Sequence, residues 1–220
     1  MKKYILFMAL FFTFSCAGGS VKKEKLEKKL SDEELIQKTY RSYINCLSEK
    51  KGYDTLALVS QRTIDYYGKC IKDSLYLGCK KTKELSLMKK IIVLRIRSSV
   101  DLPILKNMTG KKLFVYGVNR GWVGEKEKIE RLKISRIFVE GNAAETRMSI
   151  NGTEFPFGFN FYKEDGSWKI DITSLMGKIN TILEKRIKNS GQDVNDYVLT
   201  VMKMVTKKEL TENIWSPLIK

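Results

Sequence analysis

The sequence predicts an α+β fold: helices first, then an antiparallel meander, then more helices. Three observations carry this. A capping box at Ser31 opens a run with helical periodicity. Beyond residue 112 the apolar period shortens from 3.6 to 2. Between the alternating stretches stand Gly141-Asn142, Asn151-Gly152 and Asp165-Gly166, which are hairpin chemistry.

The elements follow in order. In "SDEE" Ser31 and Glu34 form the box, and the acidic residues suit the positive end of the helix dipole. Ile36, Tyr40, Tyr43 and Leu47 then make one apolar stripe, closed by Lys51-Gly52. Ser60 or Asp54 starts a second helix, with Ile64, Tyr67, Ile71 and Leu75 in register and Gly78 as its stop. "LSLMKKIIVLRIRSS", residues 85–99, is more continuously apolar and is expected to be the most buried helix. "DLPILKNMTG" reads as a helical turn and a loop, with Pro103 suited to the first turn. Five strands are expected: "KLFVYGVN", "KISRIFVE", "AAETRMSI", "EFPFGFNFYK" and "SWKIDI". Residues 174–220 return to helix with a break at "NSGQD"; Ile179, Ile182, Leu183 and Ile187 line one helix, and Tyr197, Val198, Val201 and Val205 the other.

The hairpin "FNFYKEDGSWKIDI" has a self-consistent register. A two-residue Asp165-Gly166 turn pairs Glu164 with Ser167. Lys163 then meets Trp168, Phe161 meets Ile170, and Phe159 meets Ile172. Asn160 opposite Asp171 and Tyr162 opposite Lys169 fall on the polar face, so Asp171 is expected in solvent. A slip by one residue would mix the faces. Phe155 and Phe157 extend the apolar row, while Pro156 and Gly158 suggest a bend or bulge that curls the sheet around its aromatic side.

The first twenty residues have the parts of an export signal: Lys2 and Lys3, an apolar run from Tyr4 to Phe14, then small residues. That run is short of the roughly 20 residues that span a bilayer. Two cleavages compete. Signal peptidase would cut after Ala17; lipoprotein processing would cut before Cys16 and leave its thiol for a diacylglycerol. "TFSC" resembles a bacterial lipobox, with Thr13 in place of the usual Leu. The expected organisation is a signal peptide over 1–15 and a lipid-anchored charged tether over 16–30. A folded domain over 31–175 and a helical extension over 176–220 follow. Acylation of Cys16 implies a palmitate-bearing lipoprotein of the cell envelope, anchored to the membrane and facing the periplasm or in the outer membrane. Without it the protein is secreted.

Composition limits the chemistry. The 220 residues are 43% hydrophobic, enough for a sizeable core. Lys and Arg number 41 against 25 acidic residues, a formal charge of +16. This means either attraction to anionic surfaces or simply a solvated, lysine-rich surface. No nucleic-acid motif appears, so no nucleic-acid partner is expected. There is no His, which excludes Ser-His-Asp and Cys-His catalysis and His-based metal sites. No metal or cofactor is expected. Cys46, Cys70 and Cys79 are read as buried free thiols. Nine residues of helix would separate Cys70 and Cys79 by about 13.5 Å, from the helical rise. A disulfide spans roughly 4.4–6.8 Å. They bridge only if the chain folds back at Gly78. The sequons at Asn107 and Asn151 carry no meaning in a bacterial lipoprotein.

N-terminal helices followed by a curled antiparallel sheet, ending in "F-x-F-x-K-E-D-G-S-W-K-I-D", resemble the nuclear transport factor 2-like (cystatin-like) superfamily over residues 31 to about 175. The resemblance implies a cone, with the N-terminal helices packed on a strongly curved sheet. It leaves function open, since that fold hosts enzymes, ligand binders and interaction modules. Enzymes of the ketosteroid isomerase type place a Tyr donor and an Asp base inside the cone; Tyr66, Tyr67, Tyr116 and Asp171 are this chain's candidates, with no motif aligning them. No catalytic residue is assigned. The preferred expectation is a binding module for an apolar ligand or envelope protein. Its mainly apolar pocket is lined by Phe155, Phe157, Phe159, Phe161, Tyr40 and Tyr43. The alternatives are a small Tyr/Asp enzyme and a basic surface for anionic polymer or membrane.

Overall fold

A computed structural model describes residues 30–122 and 131–219. The expected signal peptide, tether and Cys16 lie outside the described residues. The fold is α+β, with a five-stranded antiparallel sheet that does not close on itself.

The helices before the sheet are α1 (Asp32–Ser48), α2 (Gly52–Leu56), α3 (Gln61–Tyr76), α4 (Cys79–Lys83), α5 (Leu87–Ser99), α6 (Leu102–Lys106) and α7 (Gly110–Asn119). The capping box at Ser31 is formed in both directions. Every residue of the Ile36-Tyr40-Tyr43-Leu47 stripe is buried. Ser60 caps α3 by accepting from Thr63 N. Gly78 stands between α3 and α4, and Cys46, Cys70 and Cys79 are all free, with Cys70 buried and Cys79 exposed. Burial pushes the Cys70 thiol up to about 12, so it stays protonated.

One expected strand is a helix. "KLFVYGVN" forms most of α7, capped by Thr109, whose hydroxyl accepts from Lys112 N. Its alternation carries no signal, because Leu113, Phe114, Val115 and Val118 are all buried. The helix lies close against two neighbours. A Cβ on Gly110 would sit 2.2 Å from Ile64 O, and one on Gly52 2.6 Å from Val115 O. Tertiary packing thus outweighs the strand propensity of Phe, Val and Tyr.

The strands are β1 (Leu132–Glu140), β2 (Ala143–Ile150), β3 (Thr153–Phe155), β4 (Asn160–Glu164) and β5 (Ser167–Asp171). Their order is β1-β2-β4-β5, with β3 also paired to β2. The β4–β5 register is the one the sequence predicts from Asn160–Asp171 through Glu164–Ser167. Asp165 and Gly166 have φ of 50° and 73°, and Asn151 and Gly152 50° and 83°, as primed turns require. The expected strand "EFPFGFNFYK" is broken into β3 and β4. Between them Phe157 O and Phe159 O still accept from Met148 N and Thr146 N. Gly158 makes this possible, since a Cβ there would fall 2.5 Å from Thr146 Oγ1. The outer edge of β5 is covered by the chain entering α3: Ile170 N donates to Leu58 O, and Ser60 N to Ile170 O.

After the sheet come α8 (Thr173–Asn189), α9 (Val194–Thr206) and a 3-10 turn, η1 (Glu212–Trp215). Helix α8 begins two residues after β5 and runs through positions 175 and 176. Leu87 and Leu94 of α5 share a core with Ile187, Val198, Met202 and Trp215. Ile182 and Val205, expected on the apolar stripes, are exposed. Arg97 ties the tail down. Its guanidinium donates to the carbonyls of Asp73, Ser74, Leu77, Ile214 and Trp215 and to Thr82 Oγ1. Burial lowers its pKa to about 10, so it is still a cation at neutral pH.

Candidate functional site

Asp171 corrects the face assignment. It is buried at 3% exposure rather than solvated. Its Oδ1 accepts from Thr173 N at 2.9 Å and Thr173 Oγ1 at 2.6 Å. It therefore satisfies the first turn of α8, which otherwise has free N–H groups. Ser174 Oγ closes the same corner, donating to Asp171 O and accepting from Asn160 N. Trp168, Ile170 and Ile172 are buried as expected, and Lys169 is half-buried with its ammonium donating to Ala57 O.

The aromatic row divides at the break between β3 and β4. Phe159 and Phe161 are buried. Phe159 packs against the α1 stripe, 6.1 Å from the Tyr40 ring and 6.4 Å from the Tyr43 ring. Phe155 and Phe157 are half-buried, with their rings tilted at 45° and 5.9 Å apart. The pairing with β2 slips between Phe155, which stands opposite Met148, and Phe157, whose carbonyl accepts from Met148 N, and neither ring joins the core that holds Phe159.

A cavity of about 290 Å³ lies beside Phe159. Eighteen residues line it. Tyr43, Ile44 and Leu47 come from α1, Met88, Ile91, Ile92 and Arg95 from α5, and Phe114, Gly117 and Val118 from α7. Leu175, Met176 and Ile179 come from α8, and Trp122, Leu132, Phe159 and Ile172 complete the apolar wall with Tyr67 of α3. The first turns of α8 are therefore part of the cavity wall.

Of the six expected pocket residues, Tyr43 and Phe159 line the cavity. Tyr40 does not, and its hydroxyl donates to Leu132 O at 2.9 Å. Phe161 is fully buried opposite Ile170, and Phe155 and Phe157 lie elsewhere. Sequence reasoning missed the walls from α5 and α8. The signal present was the pair Ile91 and Arg95, one helical turn apart, and Leu175-Met176 with Ile179.

The lining holds no carboxylate and no thiol. Its polar side-chain groups are two phenols, one indole N–H and one guanidinium. Burial pushes the Tyr43 and Tyr67 phenols well above their usual range, so both are neutral hydroxyls. Arg95 is part-buried, with its guanidinium carbon 5.2 Å from the centre of the Trp122 ring. Tyr116 is taken up by a bond to Ser99 O, and neither Tyr66 nor Asp171 lines the cavity. Among the described residues, no group of three His, Cys, Asp or Glu side chains is placed to hold a metal, and no helix is long and apolar enough to cross a membrane.

No family model matches the chain, no curated protein matches it in sequence, and no solved structure matches it in fold.

Proposed function

We propose that this chain is a lipid-anchored envelope module that binds an apolar ligand in the cavity between α1, α5, α7, α8 and the sheet, without transforming it. The observation that carries the reading is the lining itself: mainly apolar, with no carboxylate beside Tyr43 or Tyr67. A Tyr/Asp mechanism needs a base within hydrogen-bond reach of the substrate. Asp171, the base that mechanism would use, is committed to the start of α8. A volume of about 290 Å³ is at the lower end of small-molecule pockets, which run roughly 300–1,000 Å³.

We place the fold with the nuclear transport factor 2-like cone. The support is the bend at Pro156–Gly158, the register shift in β1 between Ile134 and Arg136, and the Tyr40 and Tyr43 rings against Phe159. Bulges and bends of this kind curve a sheet. Anchorage through Cys16 rests on the basic-apolar-small order of residues 1–19 and on Ser15 before the cysteine.

The test is titration of the folded protein, purified without its acyl group, with an environment-sensitive apolar dye such as Nile red. About one equivalent should bind. Ile91→Trp and Ile179→Trp, each checked by circular dichroism, should lower that binding at least tenfold by filling the cavity. No binding by the wild type, or undiminished binding by both folded variants, overturns the reading.

A further inference from the structure

Arg95 is the one charged side chain among the cavity's lining residues. It has no carboxylate partner among the described residues, and no acceptor there takes any of its N–H groups. The other basic residues of α5 are engaged: Lys89 pairs with Asp73 at 2.6 Å, Lys90 donates to Asn195 Oδ1, and the Arg97 N–H groups are taken up by carbonyls and Thr82 Oγ1. Arg95 instead lies over Trp122. The attraction of a guanidinium to a ring consumes none of its five N–H donors, which stay available to a planar acceptor. A part-buried cation without a counter-ion is costly, and burial already pulls its pKa down.

We propose that the ligand is a single-chain amphiphile with a carboxylate head, its chain in the apolar cavity and its head on the edge of the Arg95 guanidinium. This rests on the cavity being a binding site and adds the chemical class of the ligand. Charge selects the head. One guanidinium balances one carboxylate and meets it with two parallel hydrogen bonds. A phosphate dianion would leave charge unbalanced, and no second cation lines the cavity. Volume selects the tail. A cavity of about 290 Å³, at the lower end of the roughly 300–1,000 Å³ of small-molecule pockets, suits one medium chain rather than two. The Tyr43 and Tyr67 hydroxyls, neutral and without a hydrogen-bond partner among the described residues, are further donors in the same cavity.

The experiment is calorimetric titration with decanoate, 1-decanol and decyltrimethylammonium, below their micelle concentrations. Wild type, Arg95→Met, Arg95→Lys and Ile91→Trp are compared. In the wild type, decanoate should bind about tenfold or more tightly than the other two, the scale of one charge-assisted pair. Arg95→Met keeps the stem but not the donors. It should lose that preference and bind decanoate no more tightly than decanol. Arg95→Lys should recover part of it, since the charge returns without the fork. Ile91→Trp should weaken all three. Equal affinity for decanoate and decanol in the wild type, or an unchanged preference in Arg95→Met, overturns the head-group assignment and leaves the apolar pocket standing. Absence of binding by all three, together with absence of Nile red binding, overturns both.

Discussion

Replacing Asp171 by Ala should destabilise the protein by about 2 kcal/mol. The side chain is 3% exposed, and one oxygen accepts both the amide and the hydroxyl of Thr173. Losing a cap of this type costs about 0.5–2 kcal/mol. Leaving a buried N–H without an acceptor costs about 1–3 kcal/mol, and the two figures describe largely the same donor, so they do not add. Relief of the buried charge offsets part of the loss. Asp171→Asn keeps the accepting oxygen and should cost less than about 1 kcal/mol, because Asn caps nearly as well as Asp. Urea unfolding followed by tryptophan fluorescence separates the cases. With a slope of about 2 kcal/mol/M, the Ala variant should move the midpoint by about 1 M. A shift in Asp171→Ala within about 0.5 kcal/mol of wild type would return the residue to the surface. An Asn variant as unstable as the Ala variant would refute the acceptor role and point to the charge itself.

Three further outcomes follow from the packing. Phe159→Ala should cost about 3–4 kcal/mol through lost burial and a larger cavity, and Phe157→Ala under about 1 kcal/mol, both read by the same urea midpoints. Arg97→Met should cost about 2–4 kcal/mol and expose the segment after Thr206 to protease, because five carbonyls lose a charged donor; an unchanged cleavage pattern would contradict its role as the tie. Labelling with a clickable palmitate should tag the wild-type chain and miss Cys16→Ser, and equal detergent-free solubility of the two would sink the lipid anchor.

Local signals in the sequence were reliable where one residue type has one geometric use. The Ser31–Glu34 box, the Ser60 cap and the Asp165-Gly166 turn all formed at the expected residues. With the turn in place, the pairing from Asn160–Asp171 to Glu164–Ser167 had no alternative register. The misses share a different cause. In "KLFVYGVN" both sides of the segment are buried, so alternation and helical spacing look alike over eight residues. Asp171 has the strand parity of a surface residue, but the chain turns into α8 two positions later and needs an acceptor there. Phe155 and Phe157 have the parity of Phe159, yet the pairing with β2 slips by two residues between them, which parity alone does not reveal. The cavity was half legible: Tyr43 and Phe159 were expected, while the walls from α5 and α8 depend on how distant helices pack.

The most direct measurement of the central claim is a methyl NMR map of the protein titrated with decanoate. Shift changes and chain-to-methyl contacts should concentrate on the methyl groups that line the cavity, among them Ile44, Ile91, Leu175, Met176 and Ile179. Changes confined to exposed methyl groups such as Ile104, Ile182 and Val205, with the cavity methyls unmoved, would contradict a ligand pocket and locate binding on the outer surface.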